Sequence, residues 1–152
     1  MKYKAYVILF IAITIIILLF VNLNHKTKPK IAAIKINDII ITLEVADDYL
    51  EQINGLSNRK NLDDYHGMLF VYPRYQAMNF WMKEMNFPID VIWIKDNEIV
   101  GFEENIPLFN EQGEIKKFSS LIPVNYVLEV PANFIDKNNI KITDKIELIY
   151  EK

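Results

Sequence analysis

The sequence has 152 residues, the length of one ordinary domain, and it contains no cysteine. Disulfides, thiolate nucleophiles and zinc–thiolate sites are therefore excluded, whereas either cellular compartment remains compatible with this composition. All 20 acidic residues but only 12 of the 17 lysines and arginines lie after residue 30, so the formal charge of that part is −8. We expect no nucleic-acid partner, because binding to phosphates needs clustered basic side chains.

The first 26 residues predict a single transmembrane helix. Lys2 and Lys4 precede an apolar run over residues 5–21 that is interrupted only by Thr14. As a helix, about 17–20 such residues cross a hydrocarbon core of about 30 Å, and in lipid only a helix satisfies the backbone within one segment. We therefore expect residues 1–26 to be an uncleaved signal-anchor whose partner is the lipid bilayer.

A cleaved signal peptide is the alternative, because it has the same basic start and apolar middle. Such a peptide ends in small residues directly after the apolar run, whereas "NLNHKTKPK" follows here and Ala32 and Ala33 lie beyond it. Lysines on both sides of the run leave the positive-inside rule nearly balanced. Because a lone N-terminal anchor resembles an export signal, we expect a single-pass protein of the cell membrane with an extracytoplasmic domain.

The predicted soluble domain, residues 31–152, follows a basic linker over residues 27–30. Asn37-Asp38 separates two β-branched runs at its start, which indicates a hairpin. The stretches 105–120 and 131–144 lack a clear period and predict connections. Further strands are predicted over residues 67–72, 80–83, 91–94, 98–104, 125–130 and 145–150. Seven to nine strands with one or two short helices predict a mainly-β fold, either a compact sandwich or a partly closed barrel.

The stretch "DDYLEQINGLS" predicts the one modest helix of the domain. Asp47 or Asp48 can serve as its N-cap, and Gly55 follows as a C-terminal stop. The apolar side chains of this helix predict a buried stripe formed by Tyr49, Leu50 and Ile53.

Motifs for metals, cofactors and nucleophiles are weak. Met78, Met82 and Met85 fall on one helical face and soft sulfur can hold copper(I), but methionine also fills irregular gaps in a core. His66 lies beside two aspartates on a polar loop, where adjacent residues converge on an ion only in a special turn. No serine is marked as activated, and four glycines form no phosphate-binding loop. We therefore assign no metal, no cofactor and no catalytic residue.

Four charged residues lie in apolar surroundings: Arg59, Lys83, Asp90 and Glu129. Burying an unpaired charge costs several kcal/mol, so each of them must be paired, hydrogen-bonded, shifted in pKa or at the surface. Asp90 is the hardest to expose, because it enters the apolar run "VIWI", which indicates a strand buried on both faces. We expect its carboxylate to accept a bond from Arg59, from Lys83 or from backbone N–H groups in the turn at residues 86–88, which favours a structural role.

Four blocks of the sequence resemble the signature of the domain-of-unknown-function 192 family. They are "GLSNRKNL" (55–62), "GMLFVY" (67–72), "FWMKEMNFPIDVIWI" (80–94) and "YVLEVPA" (126–132). The resemblance implies a compact, mainly-β domain of prokaryotes, often behind an export signal or membrane anchor, and it implies no established activity. The motif positions carry over as Gly55, Leu56, Arg59, Gly67, Met68, Phe80, Trp81, Met82, Lys83, Pro88, Asp90 and Glu129.

Four departures from the family pattern stand out. Ser57 occupies the place of a methionine and Met85 that of a threonine, while Asn133 and Thr143 occupy places where glycine is usual. The last two affect the expected turn geometry near Asp144.

Two hypotheses for the function follow. The first is a membrane-anchored module that binds a small molecule or a protein partner of unknown identity, with a polar pocket of Arg59, Lys83, Asp90 and Glu129 and an apolar wall of Phe80, Trp81 and Met82. The alternative is an extracytoplasmic hydrolase in which Asp90 and Glu129 act as a carboxylate pair. Two carboxyl groups in different environments can divide acid and base work if their separation suits the reaction.

Overall fold

The computed structural model describes Tyr3, Tyr6, Ile13, Thr14 and residues 30–151. Apart from those four N-terminal positions, the predicted anchor over residues 1–26 lies outside the described residues, as does the linker up to residue 29. Among the helices that can be described, none combines the length and the apolar character needed to cross a membrane.

Residues 30–151 form a mainly-β domain with two short helices, which confirms the predicted class. The helices are α1 (Tyr49–Asn54) and α2 (Phe134–Lys137). The strands are β1 (Ile31–Ile36), β2 (Ile39–Ala46), β3 (His66–Gln76), β4 (Asn79–Trp81), β5 (Ile89–Lys95), β6 (Glu98–Ile106), β7 (Lys117–Ser119), β8 (Val124–Pro131) and β9 (Ile146–Tyr150).

Seven of these strands form one sheet in the order β6-β5-β8-β3-β2-β1-β9, and β4 pairs with β7 in a separate ribbon. Neighbours in the large sheet are antiparallel except β2 and β3, which are parallel and are connected through α1. The two outermost strands approach each other at one end through a bridge between Glu98 and Lys145. The sheet is otherwise not closed.

The large sheet is buried on both faces, as the continuous apolar run of β5 predicted. Ile89, Val91 and Trp93 face one cluster of apolar side chains, and Ile92 and Ile94 face the other. Strand side chains alternate between faces, so only an element with both faces covered is apolar at successive positions. We call the first cluster the upper core and the second the lower core.

Helix α1 begins and ends as predicted, but its predicted buried stripe is wrong. The Asp48 side chain accepts a bond from the N–H of Glu51 at 2.9 Å, and Gly55 ends the helix at a φ of 48°. Tyr49, Leu50 and Ile53 are exposed, and α1 buries none of its residues. Six residues make fewer than two turns, too short for a stripe.

Hydrogen bonds hold α1 against the sheet in place of an apolar stripe. The Gln52 side-chain amide donates to the carbonyl oxygens of Ala46 (3.3 Å) and Val71 (3.0 Å), which belong to the parallel strands β2 and β3. Leu56, just after the helix, supplies the buried apolar contact.

Two elements arise in stretches that were predicted to be connections. Strand β7 lies in the stretch 105–120 and pairs with β4, where Phe118 lies opposite Phe80. Helix α2 lies in the stretch 131–144, and its Phe134 and Ile135 enter the lower core. Strands of three residues and helices of four are too short to produce a readable period.

Both positions where the family usually has glycine adopt a glycine-like backbone. Asn133 has a φ of 66° and Thr143 a φ of 80°. Asparagine tolerates this left-handed region, whereas a β-branched residue is strained there. The turn before β9 therefore keeps the conformation that glycine would favour, at a local cost in backbone strain.

Candidate functional site

A cavity of about 200 Å³ lies between α1, β3, β4 and β8, on the upper-core side of the large sheet. The crossing from β2 through α1 to β3 forms one wall, and the ribbon strand β4 with the residues after it forms the other. The described residues that line the cavity are Tyr49, Gln52, Ile53, Asn54, Gly55, Leu56, Ser57, Phe70, Tyr72, Asn79, Phe80, Trp81, Met82, Met85, Ile89 and Glu129.

The predicted apolar wall of Phe80, Trp81 and Met82 lines this cavity. Phe80 is fixed between aromatic rings: its centroid lies 5.1 Å from that of Phe70 in an edge-to-face contact and 5.8 Å from that of Phe118 in a stacked one. Met82 is buried, whereas Trp81 is half exposed at the rim. The wall is thus rigid at its base and solvent-accessible at its edge.

Glu129 reaches the cavity from β8 and is only 6 % exposed. Its carboxyl group makes no hydrogen bond with any residue between 30 and 151. No fully enclosed side-chain oxygen or nitrogen of the described chain lacks a partner. The unpartnered carboxyl oxygens of Glu129 must therefore face open space, which is the cavity.

Burial raises the pKa of Glu129 to about 8, and the nearby charge of Arg59 opposes this rise only in part. Burial also raises the pKa of Tyr72, another lining residue, to about 12, with a further contribution from the charge of Glu129. Desolvation disfavours the charged form of an acid. At neutral pH the cavity therefore contains a largely protonated carboxyl group.

Arg59 lies close enough to Glu129 to act on its charge, but it is paired with another acid. Its guanidinium donates two hydrogen bonds to the carboxylate of Glu44, one of them from Nη2 to Oε2 at 2.6 Å. The bond to Arg59 lowers the pKa of Glu44, and the same bond raises the pKa of Arg59. This fork-to-fork pairing occupies the guanidinium, so Arg59 supports the site from outside.

Lys83 does not line the cavity. Its side chain is exposed, its Nζ lies 3.7 Å from a carboxylate oxygen of Glu84, and it borders a smaller groove that adjoins the rim of the cavity at Ile53 and Trp81. An exposed pair of this kind contributes little to stability.

Asp90 lies on the opposite face of the sheet from Glu129. In the register of β5 and β8, Asp90 is paired with Val130 and Val91 with Glu129, so the two carboxyl groups point into different cores. The predicted pocket of four charged residues is therefore wrong, because only Glu129 lines the cavity. The predicted carboxylate pair is wrong for the same reason.

The Asp90 carboxylate is fully buried and accepts three backbone hydrogen bonds. The N–H of Asn105 donates at 2.7 Å, that of Asn133 at 3.2 Å and that of Ile135 at 2.9 Å. The prediction that backbone N–H groups bond to Asp90 is confirmed, but their predicted place in the turn at residues 86–88 is wrong. The other two predicted donors, Arg59 and Lys83, do not bond to Asp90. Its role is to join the end of β6 and the start of α2 to the centre of the sheet.

A glycine fixes the backbone beneath Glu129. A Cβ atom on Gly67 would lie 2.8 Å from the carbonyl oxygen of Glu129, closer than real Cβ atoms approach backbone oxygen. Strand β3 can pass this close to β8 only because residue 67 has no side chain.

The methionines do not form an exposed sulfur cluster. Met78, Met82 and Met85 are buried in the upper core among apolar side chains. The described part of the chain also holds no group of three or more histidine or acidic side chains that could bind a metal ion.

Sequence reasoning missed the α1 side of the cavity and Tyr72. Tyr49, Gln52 and Ile53 reach the cavity because the parallel pairing of β2 and β3 forces the connection to cross the sheet. The adjoining Gly-Leu block at residues 55–56 was the available signal, since it lies within the resemblance.

Comparison with known proteins gives a family and a fold. The sequence model of the DUF192 family, described as "Uncharacterized ACR", matches residues 32–148. A candidate transcription regulator from Sinorhizobium meliloti 1021 is 26 % identical with a TM-score of 0.69, and the match covers 80 % of this chain and 97 % of the Sinorhizobium chain. A protein of unknown function from Novosphingobium aromaticivorans DSM 12444 is 23 % identical with a TM-score of 0.70, covering 82 % and 89 %. No curated protein matches.

Replacing Asp90 tests its structural role. In Asp90→Ala, three backbone N–H groups lose their acceptor, and we expect the free energy of unfolding to fall by about 3 kcal/mol or more. The free energy of unfolding of Asp90→Asn should lie between those of Asp90→Ala and the wild type, because asparagine keeps one acceptor oxygen. Urea denaturation followed by tryptophan fluorescence measures the change. Glu104→Ala, an exposed carboxylate on β6, is the control and should change stability by less than about 0.5 kcal/mol. An equally small effect for Asp90→Ala would contradict the assignment.

Stability should fall as pH rises through the range set by Glu129. Its pKa is about 8 in the folded state against the ordinary value of 4.5, so between these values the folded state holds a proton that the unfolded state has released. The free energy of unfolding should decrease by up to about 1.4 kcal/mol per pH unit between pH 5.5 and 7.5 and level off above 8.

The control for this prediction is Glu129→Gln, which cannot titrate. The difference in the free energy of unfolding between wild type and variant should show the predicted decrease with pH. Other titrating groups, such as Glu103, whose pKa is raised by burial, contribute equally to both proteins and cancel in the difference. If the free energies of unfolding of the two proteins changed in parallel between pH 5.5 and 7.5, the raised pKa of Glu129 would be contradicted.

Proposed function

The chain belongs to the DUF192 family, an uncharacterised family, and we propose that it is a binding module that takes up a small molecule in the cavity above Glu129. The observation that carries this proposal is the buried carboxyl group without a partner. A polar group in apolar surroundings costs free energy unless something bonds to it, and no residue between 30 and 151 bonds to this one. A ligand that enters the cavity would remove this cost.

The size and lining of the cavity support a small, mostly apolar ligand. An apolar cavity of about 150 Å³ holds a benzene ring, so about 200 Å³ suits a ring with one or two substituents. Aromatic and aliphatic walls with few polar groups are typical of ligand sites. Exposed Tyr49 and Trp81 at the rim would make the first contacts with an incoming molecule.

Nucleic acid is not part of the proposal. The Sinorhizobium protein is described as a candidate transcription regulator, but residues 31–152 of this chain have a strongly acidic balance. Phosphate backbones repel such a surface.

We further propose that residues 1–26 anchor the chain in the cell membrane with the domain on the extracytoplasmic side. The support is the apolar run over residues 5–21 between flanking lysines. The cavity would then meet small molecules outside the cytoplasm.

A panel of ring-sized neutral, cationic and anionic compounds tests the binding function. We expect at least one compound to bind the full chain with a Kd of about 1 mM or tighter, the range that ligands of under ten heavy atoms reach. Ligand-observed NMR on protein in nanodiscs measures the binding. If no compound of any charge binds, the proposed function is wrong.

The matched controls for this panel are two tryptophan variants of α1. Ile53 lines the cavity and is 43 % exposed, so Ile53→Trp should fill the mouth without disturbing the core and weaken binding at least about tenfold. Leu50 on the same helix is 67 % exposed and does not line the cavity. Leu50→Trp should therefore bind like the wild type, and equal losses in both variants would assign the signal to the surface.

Membrane anchoring is tested by fractionation. We expect the full chain to remain with membranes after alkaline carbonate extraction and to be digested by protease added to cells whose outer barrier is opened. A variant with Ile15→Lys and Ile16→Lys should release the chain, because two charges at the centre of the run cost several kcal/mol in lipid. Full-length protein in the soluble fraction, or protection of the domain from protease, would contradict the anchor or its orientation respectively.

A further inference from the structure

We propose that the ligand of the cavity is a small organic cation, a primary ammonium group on an apolar body of about one ring, whose charge pairs with Glu129. This inference rests on the proposed function and names the ligand class for the same site. Its basis is the identity of the groups around the cavity, taken together with their geometry.

Charge complementarity selects against anions. Glu129 is the only Asp, Glu, Lys, Arg or His among the described residues lining the cavity. Neither of the two basic groups nearby lines the cavity: Arg59 binds Glu44, and Lys83 lies near Glu84 beside an adjoining groove. A ligand carboxylate or phosphate would meet a buried acid and no cation among the described lining residues, which is costly in low-dielectric surroundings.

Aromatic rings favour a cation over a neutral ligand of the same shape. Phe70, Tyr72, Phe80 and Trp81 line the cavity together with Tyr49 at its rim. The faces of such rings attract cations within about 6 Å, most strongly where water is excluded. A neutral ligand would gain one hydrogen bond from the protonated acid, whereas an ammonium group gains ring contacts and a charge-assisted bond.

The rest of the domain adds a long-range attraction. Residues 31–152 contain many more acidic than basic side chains, so the field around the domain concentrates cations and repels anions. This effect does not choose among cations, but it acts in the same direction as the cavity.

Binding of the ammonium group would require Glu129 to release its proton to solvent. The groups that face this carboxyl from packed elements are Tyr72 on β3 and Arg59, which is itself bound to Glu44. Tyr72 stays neutral and Arg59 stays charged across the physiological range, so Glu129 is the group that titrates. Apparent affinity should rise about tenfold per pH unit between pH 6 and 7 and level off above pH 8.

The test compares benzylamine with benzyl alcohol, which have the same shape and differ in charge. Titration calorimetry on the full chain in nanodiscs, at pH 8 and low salt, should give a Kd for the amine at least about tenfold below that for the alcohol. In Glu129→Gln this preference should disappear while the alcohol still binds. Retained alcohol binding also shows that the variant has folded with an intact cavity.

Glu104→Gln, which removes an exposed acid from β6, should leave the preference unchanged and so separates pairing in the cavity from attraction to the surface. Equal affinities for amine and alcohol, or a preference that survives in Glu129→Gln, would overturn the cation inference and leave the binding function standing. If neither compound binds but a neutral or anionic member of the ring-sized panel does so in a manner that Ile53→Trp abolishes, the inference alone has failed. If no compound of that panel binds, the proposed function fails with it.

Discussion

Three backbone N–H groups converge on the carboxylate of Asp90, and the arrangement of the lower core depends on them. A charge at full burial is tolerated only when donors surround it, and these donors come from the end of β6 and from the start of α2. Two of the donors, Asn105 and Asn133, have left-handed backbone conformations. The carboxylate thus holds these two left-handed positions against β5 and closes one face of the sheet, which leaves the other face of β5 and β8 to form the floor of the cavity.

Glu129 shows how far the surroundings of an acid decide its chemistry. Glu129 lies on β8, one residue before Val130, and Val130 is the residue paired with Asp90 on β5. Although the two acids are so close, no described backbone or side-chain donor reaches the Glu129 carboxyl group. Asp90 accepts three hydrogen bonds from donors that the fold supplies, whereas desolvation raises the pKa of Glu129 and favours its neutral form. A buried carboxyl group that no described residue bonds to lowers stability, so it is harder to explain by a structural role than by binding.

The sequence was informative where local chemistry decides the structure. The caps of α1 at Asp48 and Gly55 and the two-sided burial of β5 could be read directly, because both depend on neighbouring residues. The donors to Asp90 could not, since Asn105, Asn133 and Ile135 come close only through the order of the strands. The wall of Phe80, Trp81 and Met82 was predicted as a group, but its binding role stays a prediction. The opposite orientation of Asp90 and Glu129 required the register between β5 and β8, which no local pattern contains.

The position of β8 also bears on how the chain acquires its structure. This strand is inserted between β5 and β3, although it follows them by dozens of residues in sequence. Until residue 131 has been synthesised, β3 and β5 present unpaired edges with apolar side chains on both sides, a state prone to wrong pairing. Such a late-closing topology has a high contact order and folds slowly. The centre of the sheet can therefore close only after residue 131 has been made, when little more than the last strand of the domain is still to come.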